Sequence, residues 1–385
     1  MEFKIDRSGC ILLLLSGLVF HNFLTIESIK IGAVTLTYLR IVLLVVIPVL
    51  IFMCFKIYIW DKVAVCFLVF MIYFFARLGS NYKAGLALYS VLLAFFFLYT
   101  SIDNRKLIRK CINYVAAFAI FFSVIGVFEI VTGFHFGRSY LDNLNSSSYT
   151  SAVGMYYNPN DFSAFLTVGI FYILLSDFNR VIKYVFSGIS FIIIYINQSQ
   201  ICLLGILSFV LIAFVLKSKT QRMIRFIISL FLVLAMLVPV YKMIRNSSIF
   251  YRIYMYKYGI KNCLSHFWIG TGVGNYTSGM IKVGYVPQLY TSSDPHNIYL
   301  ELAGQFGMVW VVLVIFLLIK LFHWYLKTQN CLHSLLCFGL VYIISFIGLA
   351  SSSCLEKNYI YLALLVPLLY YRLNSDYKRR LFFWT

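Results

Sequence analysis

The length of its apolar runs constrains this chain more than any other feature. Cys10 to Phe20 and Ile41 to Phe55 hold no charged side chain, and similar stretches recur along the sequence. A helix must keep about 20 such residues together to cross a hydrocarbon core of about 30 Å, where no water can satisfy bare backbone groups. Twelve apolar runs, the shorter ones extendable by several residues at their ends, are read as spans: 9–26, 36–55, 63–76, 84–100, 112–132, 160–176, 184–197, 200–216, 226–244, 297–319, 334–351 and 358–371. The strands of a membrane barrel would alternate apolar and polar over about ten residues, and these runs do not. With 62% hydrophobic and 12% charged residues and a mean hydropathy of +0.88, the 385-residue chain cannot be a soluble enzyme, a nucleic-acid-binding module or a disordered scaffold. The expected fold is all-α, a polytopic integral membrane protein with one transmembrane domain over 1–385, about twelve transmembrane helices and a long extracytoplasmic loop before the tenth.

A net charge of +19 would ordinarily point to an acidic partner, so the placement of the charges has to be read before their sum. If the chain starts inside, 20 of its 32 basic residues fall on the cytoplasmic side, in clusters such as Arg105, Lys106, Arg109, Lys110 and Lys217, Lys219, Arg222, Arg225. This is the positive-inside pattern, and it makes both termini cytoplasmic. The remaining bases are not explained that way. Lys30, Arg77, Lys83, Arg138, Lys242, Arg245, Arg252, Lys257, Lys261, Lys282 and Lys357 fall outside, Arg40 sits at the edge of the second span, and only seven acids share the outer face. A cationic surface concentrated in 242–282 suits an anionic ligand such as a phosphate or pyrophosphate. Lipid headgroups would use the same charges.

Of nine cysteines only Cys263 and Cys354 lie on the oxidising side, so the cysteines read as small apolar packing residues and not as a disulfide framework. The opening run resembles a signal-peptide core. His21, Asn22, Phe23 and Leu24 follow it in place of a small-residue cleavage site, so it is expected to stay as the first span.

Two outer loops are long. One, over 133–159, is polar at Asn143, Asn145 and Ser146 to Ser148; the other, over 245–296, carries Tyr251, Arg252, Tyr254, Tyr256, Lys257 and Tyr258 and then the glycines Gly270, Gly272 and Gly274. Long loops in a compact membrane protein are usually functional, so the second is expected to carry the active site. The two halves of the chain show no self-similarity, which counts against a twelve-helix secondary transporter.

Three constellations carry chemistry. In Asp294 to Gly307, Pro295 and Asp294 are expected to start the tenth span, leaving His296 and Asn297 at the membrane surface. An imidazole near its neutral form there can take a proton from a sugar hydroxyl, or simply bond a carbonyl. Glu301 is a carboxylate within a span and therefore a functional candidate, the alternative being a buried salt bridge. In Gly154 to Leu166, Asn158 and Pro159 read as a turn and Asn160 or Asp161 as the cap of the sixth span. In Ile196 to Gln200, the polar run with Ser199 and Gln200 reads either as a pocket wall or as glue between helices. No P-loop, nucleophile elbow, zinc spacing or paired outer carboxylates occur, so no cofactor and no metal is expected.

Asn158-Pro159-Asn160, Ser199-Gln200, Arg252, the turn His266 to Tyr276 and His296-Asn297, in this order and spacing, resemble the O-antigen ligase and polymerase superfamily over roughly residues 112–372. The resemblance implies a metal-independent glycosyltransferase of the bacterial inner membrane, acting on undecaprenyl-pyrophosphate-linked oligosaccharide at the outer face. It implies that His296 activates the acceptor and that Arg252 contacts the pyrophosphate. Where the family has Ser-Arg this chain has Ser199-Gln200, which leaves charge neutralisation to Arg252, Arg245, Lys257 or Arg40, with Ser199, Gln200, Asn160, Asn297 and Glu301 lining the substrate pocket. The expected function is a Wzy-type polymerase of O-antigen, capsule or exopolysaccharide repeat units. Its partners would be the lipid-linked oligosaccharide, membrane lipid and a chain-length regulator, with no nucleic acid. The close alternative is a ligase delivering the glycan to lipid A core or another surface acceptor. A flippase or other transporter of lipid-linked oligosaccharide would explain the spans but not the long loop.

Overall fold

A computed structural model describes residues 7–22, 29–31, 34–36, 38–54, 62–77, 82–136, 151–156, 158–217, 247–286, 296–328, 332–350, 355 and 357–382. The chain order begins α1 (Arg7–Val19), a 3-10 turn (Phe20–Asn22), β1 (Ile29–Ile31), β2 (Val34–Leu36), α2 (Tyr38–Cys54), α3 (Lys62–Ala76), α4 (Tyr82–Ser101), α5 (Arg105–Thr132), α6 (Pro159–Leu175) and α7 (Arg180–Ile196). It continues with α8 (Gln200–Lys217), α9 (Ser247–Ser265), α10 (Tyr276–Lys282), α11 (Ile298–Phe306), α12 (Met308–Thr328), α13 (Leu332–Ala350) and α14 (Asn358–Phe382). The protein is a helical membrane protein. The exception to the all-α expectation is a short antiparallel pairing of β1 with β2, Ile29 opposite Leu36 and Ile31 opposite Val34, in segments rich in β-branched residues.

Among the described residues, Arg105–Thr132, Met308–Tyr325 and Leu332–Leu349 are long and apolar enough to cross a membrane, and shorter apolar helices accompany them. The expected span 226–244 lies outside the described residues, as do Arg245, Asp294 and Pro295. Two expectations need correction. The stretch 245–296, expected as an outer loop, carries α9 and α10, and the stretch 297–319, expected as one span, holds two helices, α11 and α12, broken at Gly307.

The chain forms two compact units, one from Met1–Arg77, Lys83–Asn197 and Glu356–Thr385, the other from Leu78–Tyr82 and Gln198–Leu355. In the first unit small residues let helices approach, as expected where lipid offers no hydrophobic drive to association. A Cβ on Gly169 of α6 would overlap the Ala119 methyl of α5, and Gly126 of α5 sits against Phe162 and Ile193. The Ser123 and Ser190 hydroxyls bond each other at 2.8 Å between α5 and α7. At one end of this unit Arg7 pairs with Asp103 at 3.0 Å, and buried Arg372 donates to the Tyr99 and Ile102 carbonyls where α4 finishes. Cations there complement the exposed carbonyls of a helix C-terminus.

At its other end, buried Glu129 accepts from the Val153 and Gly154 amides, each at 2.7 Å, and pins the segment before α6. Asn158, not Asn160 or Asp161, caps α6: its side chain accepts from the Asn160 amide at 2.9 Å with Pro159 in the first turn. Asp161 is used elsewhere, accepting from Lys357 Nζ at 2.7 Å and the Tyr359 hydroxyl at 3.2 Å. Both partners of this pair are largely shielded, so Asp161→Asn should leave the ammonium without its counter-charge and cost about 3 kcal/mol. A thermal midpoint in detergent unchanged from the parent would show that the pair contributes nothing.

Candidate functional site

The second unit is organised around the break at Gly307. This residue has φ 96 and ψ 163, a region essentially reserved for glycine, and its amide closes α11 on the Ala303 carbonyl at 2.9 Å. The glycine-rich turn after α9 is laced to the same helix end. Thr271 donates to the Gly304 carbonyl through its amide at 2.7 Å and its hydroxyl at 2.9 Å, and the Gly272 amide donates to the Gln305 carbonyl at 3.0 Å. A Cβ on Gly270 would overlap the Gln305 backbone, and one on Gly307 would overlap the Trp268 carbonyl. The glycines are there so that two backbones can meet, and they satisfy carbonyls that a broken helix leaves open. Gly307→Ala should therefore cost on the order of 1–3 kcal/mol from the backbone alone, plus the collision with Trp268; a thermal midpoint equal to the parent's would contradict this account.

At the other end of α11, Asn297 is the cap, its side chain accepting from the Tyr299 amide at 2.9 Å and the Leu300 amide at 3.1 Å. His296 precedes it with φ 42, a left-handed backbone that a non-glycine residue holds only where its surroundings impose it. One such constraint is visible. The Tyr256 hydroxyl of α9 donates to the His296 carbonyl at 3.1 Å. One helical turn before Tyr256, on the same face of α9, Arg252 donates from Nη1 to the Leu349 carbonyl at 3.2 Å, at the C-terminal end of α13. Ile298 packs on Gly348 of the same helix, and the Tyr299 and Ser345 hydroxyls lie 3.3 Å apart. His296, Tyr256, Arg252 and the end of α13 thus converge.

α9 and α11 run side by side in the same direction. Tyr256 meets His296, Cys263 Sγ meets the Leu300 carbonyl at 3.6 Å, Asn262 lies against Gly304, and the Met308 amide donates to the Phe267 carbonyl at 2.8 Å. Glu301 of α11 is buried and accepts from Gln305 Nε2 at 3.2 Å and the Leu355 amide at 3.3 Å, while Gln305 Oε1 accepts from the Gly274 amide at 2.9 Å. The Asn262 side chain and the Tyr276 hydroxyl are buried with no hydrogen-bond partner among the described residues. Burial, with Cys263, Glu301 and Tyr256 nearby, pushes the Tyr276 phenol far above its usual range, and burial pushes the Cys263 thiol to about 11. Neither group is ionised near neutral pH, so neither offers an anion to the site.

The expected site residues are not all brought together. His296, Asn297, Arg252 and Glu301 share the α9–α11 region. Lys257 lies five residues beyond Arg252, about 140° around the helix, and is exposed. Ser199 is buried and Gln200 half-buried at the start of α8 in the same unit. Arg40 and Asn160 belong to the first unit, where Arg40 is an electrostatic neighbour of His21. Asn197, also in the first unit, acts as glue: it accepts from the Ala152 amide at 2.8 Å and donates to the Ala152 carbonyl at 2.9 Å and the Ser163 hydroxyl at 3.1 Å. Sequence reasoning missed the roles of Tyr256 and Gln305. The four-residue spacings Arg252–Tyr256 and Glu301–Gln305 were the available signal, usable only once both segments are known to be helices. Among the described residues, no group of three or more His, Cys, Asp or Glu side chains could hold a metal ion.

Residues 185–315 match the family model described as O-antigen ligase. The match runs from within α7 to within α12 and takes in all of α9, the glycine-rich turn, His296 and Glu301. The resemblance to the O-antigen ligase and polymerase superfamily holds over this stretch. No curated protein matches the chain.

Proposed function

We propose, taking kinship with the O-antigen ligases as the premise, that this protein transfers a glycan from an undecaprenyl-pyrophosphate carrier to a sugar hydroxyl at the outer face of the bacterial inner membrane. The observation that carries this reading is the convergence of His296 and Arg252, both inside the stretch that matches the family, at the end of α13, a helix long enough to span a membrane. His296 takes the proton of the acceptor hydroxyl as its oxygen bonds to the anomeric carbon of the donor. The bond from that carbon to the pyrophosphate oxygen breaks, and the leaving group carries its electron pair toward Arg252, whose planar fork fits phosphate oxygens. Because the carrier arrives activated, the step needs no nucleotide and no metal. Asn297 sets the position of His296, and Glu301 holds the far side of α11. Lys257 is left out of this site by the face it occupies, and Arg245 stays a candidate contact from sequence alone. In this reading twelve spans place both termini in the cytoplasm.

Polymerisation is the form we favour, with another lipid-linked repeat unit as acceptor and a chain-length regulator as candidate partner. The other form is ligation to lipid A core or another surface acceptor, and the match to the family described as O-antigen ligase is compatible with both. Purified protein, given lipid-linked repeat units in detergent, should produce a ladder of lengthened glycans. Transfer to lipid A core without a ladder would establish the ligase. Neither product, under conditions in which a known enzyme of either kind is active, would overturn the reading.

A further inference from the structure

We propose that the exposed face of α9 is a strip that docks on the membrane surface and selects anionic phospholipid. Its placement follows from two spans. α12 and α13 are consecutive, pack on each other and have only residues 329–331 between them, so Met308 and Leu349 lie at the same membrane face. α9 is tied to both: Arg252 donates to the Leu349 carbonyl at 3.2 Å, and the Phe267 carbonyl just after the helix accepts from the Met308 amide at 2.8 Å. With both attachments at one face, the helix runs along that face.

The side chains divide accordingly. Met255, Gly259, Asn262 and Cys263 are buried within the unit. The opposite face presents Ile253, Ile260 and Leu264, 59%, 49% and 64% exposed, with Lys257 and Lys261 along one edge, and Trp268 follows at 70%. At about 100° per residue these three aliphatic residues fall within roughly 40° of one another, and both lysines lie to the same side of them. A narrow apolar stripe edged by lysines, with a tryptophan at its end, is the pattern of a helix lying in the headgroup layer. Its aliphatic side chains enter the acyl boundary, and its ammonium groups meet lipid phosphate. From 242 to 282 the chain holds six basic residues and no acid, so nothing on this segment repels an anionic headgroup. Arg252, turned to the other face, serves the site at His296; the lysines serve the lipid.

The test uses the full-length protein in vesicles of phosphatidylcholine with a fixed fraction of phosphatidylglycerol, with bromine on the upper acyl chain of one lipid or the other. Subtracting the emission of Trp268→Phe from that of the parent isolates Trp268. We expect brominated phosphatidylglycerol to quench this signal several-fold more than brominated phosphatidylcholine at equal mole fraction. In Lys257→Gln/Lys261→Gln the preference should disappear, since each lysine near an anionic surface is worth about a fivefold change in lipid occupancy. Equal quenching by both lipids in the parent would remove the selectivity. Quenching by aqueous iodide and by neither lipid would place the face in water. Quenching by none of the three would mean that protein covers it. Each of these results overturns the proposal, and the comparison of the two lipids in the parent stands even if the double variant does not insert. No glycan transfer is measured, so failure here is separate from failure of the enzymatic reading.

Discussion

Replacing His296 with asparagine should lower glycan transfer by about 10² to 10⁴ while leaving the protein folded and inserted. Asparagine is the informative replacement because, like histidine, it is tolerated in the left-handed backbone that His296 adopts at φ 42, and it has no basic nitrogen for an acceptor proton. The Tyr256 hydroxyl contacts the carbonyl of residue 296, not the side chain, so that bond should survive. His296→Ala removes the same base but leaves alanine in a backbone it disfavours, so a loss in that variant alone would reflect geometry. Purified variants at matched thermal midpoint, assayed with lipid-linked repeat units and resolved on gels, separate these cases. Parental ladders from His296→Asn would end the base assignment. In cells the same variant should accumulate single repeat units on the outer face. Units trapped facing the cytoplasm would point to a transporter.

How much could be read in advance differs by the range of the interaction involved. The apolar helices were legible because a bilayer tests each residue locally: the expected span 334–351 needs no partner to declare itself, and Leu332–Leu349 is a helix long and apolar enough to cross a membrane. The break in the tenth span was not. Gly307 sits in an apolar stretch that continues on both sides, and what makes it a break is the carbonyl of Trp268, distant in sequence, filling the space a side chain would need. The turn at His266 to Tyr276 was visible as glycine, but its role as the cap of α11 depends on the Gly304 and Gln305 carbonyls. Asp161 looked like a cap because its position in the first turn fits one; its actual partner, Lys357, is 196 residues away. The face of α9 was hidden for another reason. A segment rich in tyrosine and lysine shows no clear apolar period, so it read as loop, and in a loop Arg252 and Lys257 look equivalent. Helical geometry separates them, and with them the proposed site contact from the proposed lipid contact.

Arg252 is where a catalytic and a structural role have to be told apart, since its guanidinium also holds the Leu349 carbonyl. If it stabilises the departing pyrophosphate, Arg252→Ala should lower turnover by about 10² to 10³, the scale of removing one preorganised donor from a developing negative charge. Arg252→Gln is the sharper variant. Its amide can still donate toward a carbonyl but carries no charge, so a purely structural role predicts near-parental turnover, and a pyrophosphate role predicts a loss close to that of alanine. Arg252→Lys should fall between, because an ammonium supplies the charge without the planar fork. The loss should appear in kcat more than in KM, because the contact strengthens as charge builds on the leaving oxygen. In Arg252→Gln, whose amide can keep the bond to the Leu349 carbonyl, the tryptophan signal of the proposed lipid-facing strip should stay unmoved, since Lys257 lies about 140° around the helix. Parental turnover in Arg252→Gln would return the residue to a purely architectural part, joining α9 to the end of a membrane span, and would require another cation to meet the pyrophosphate.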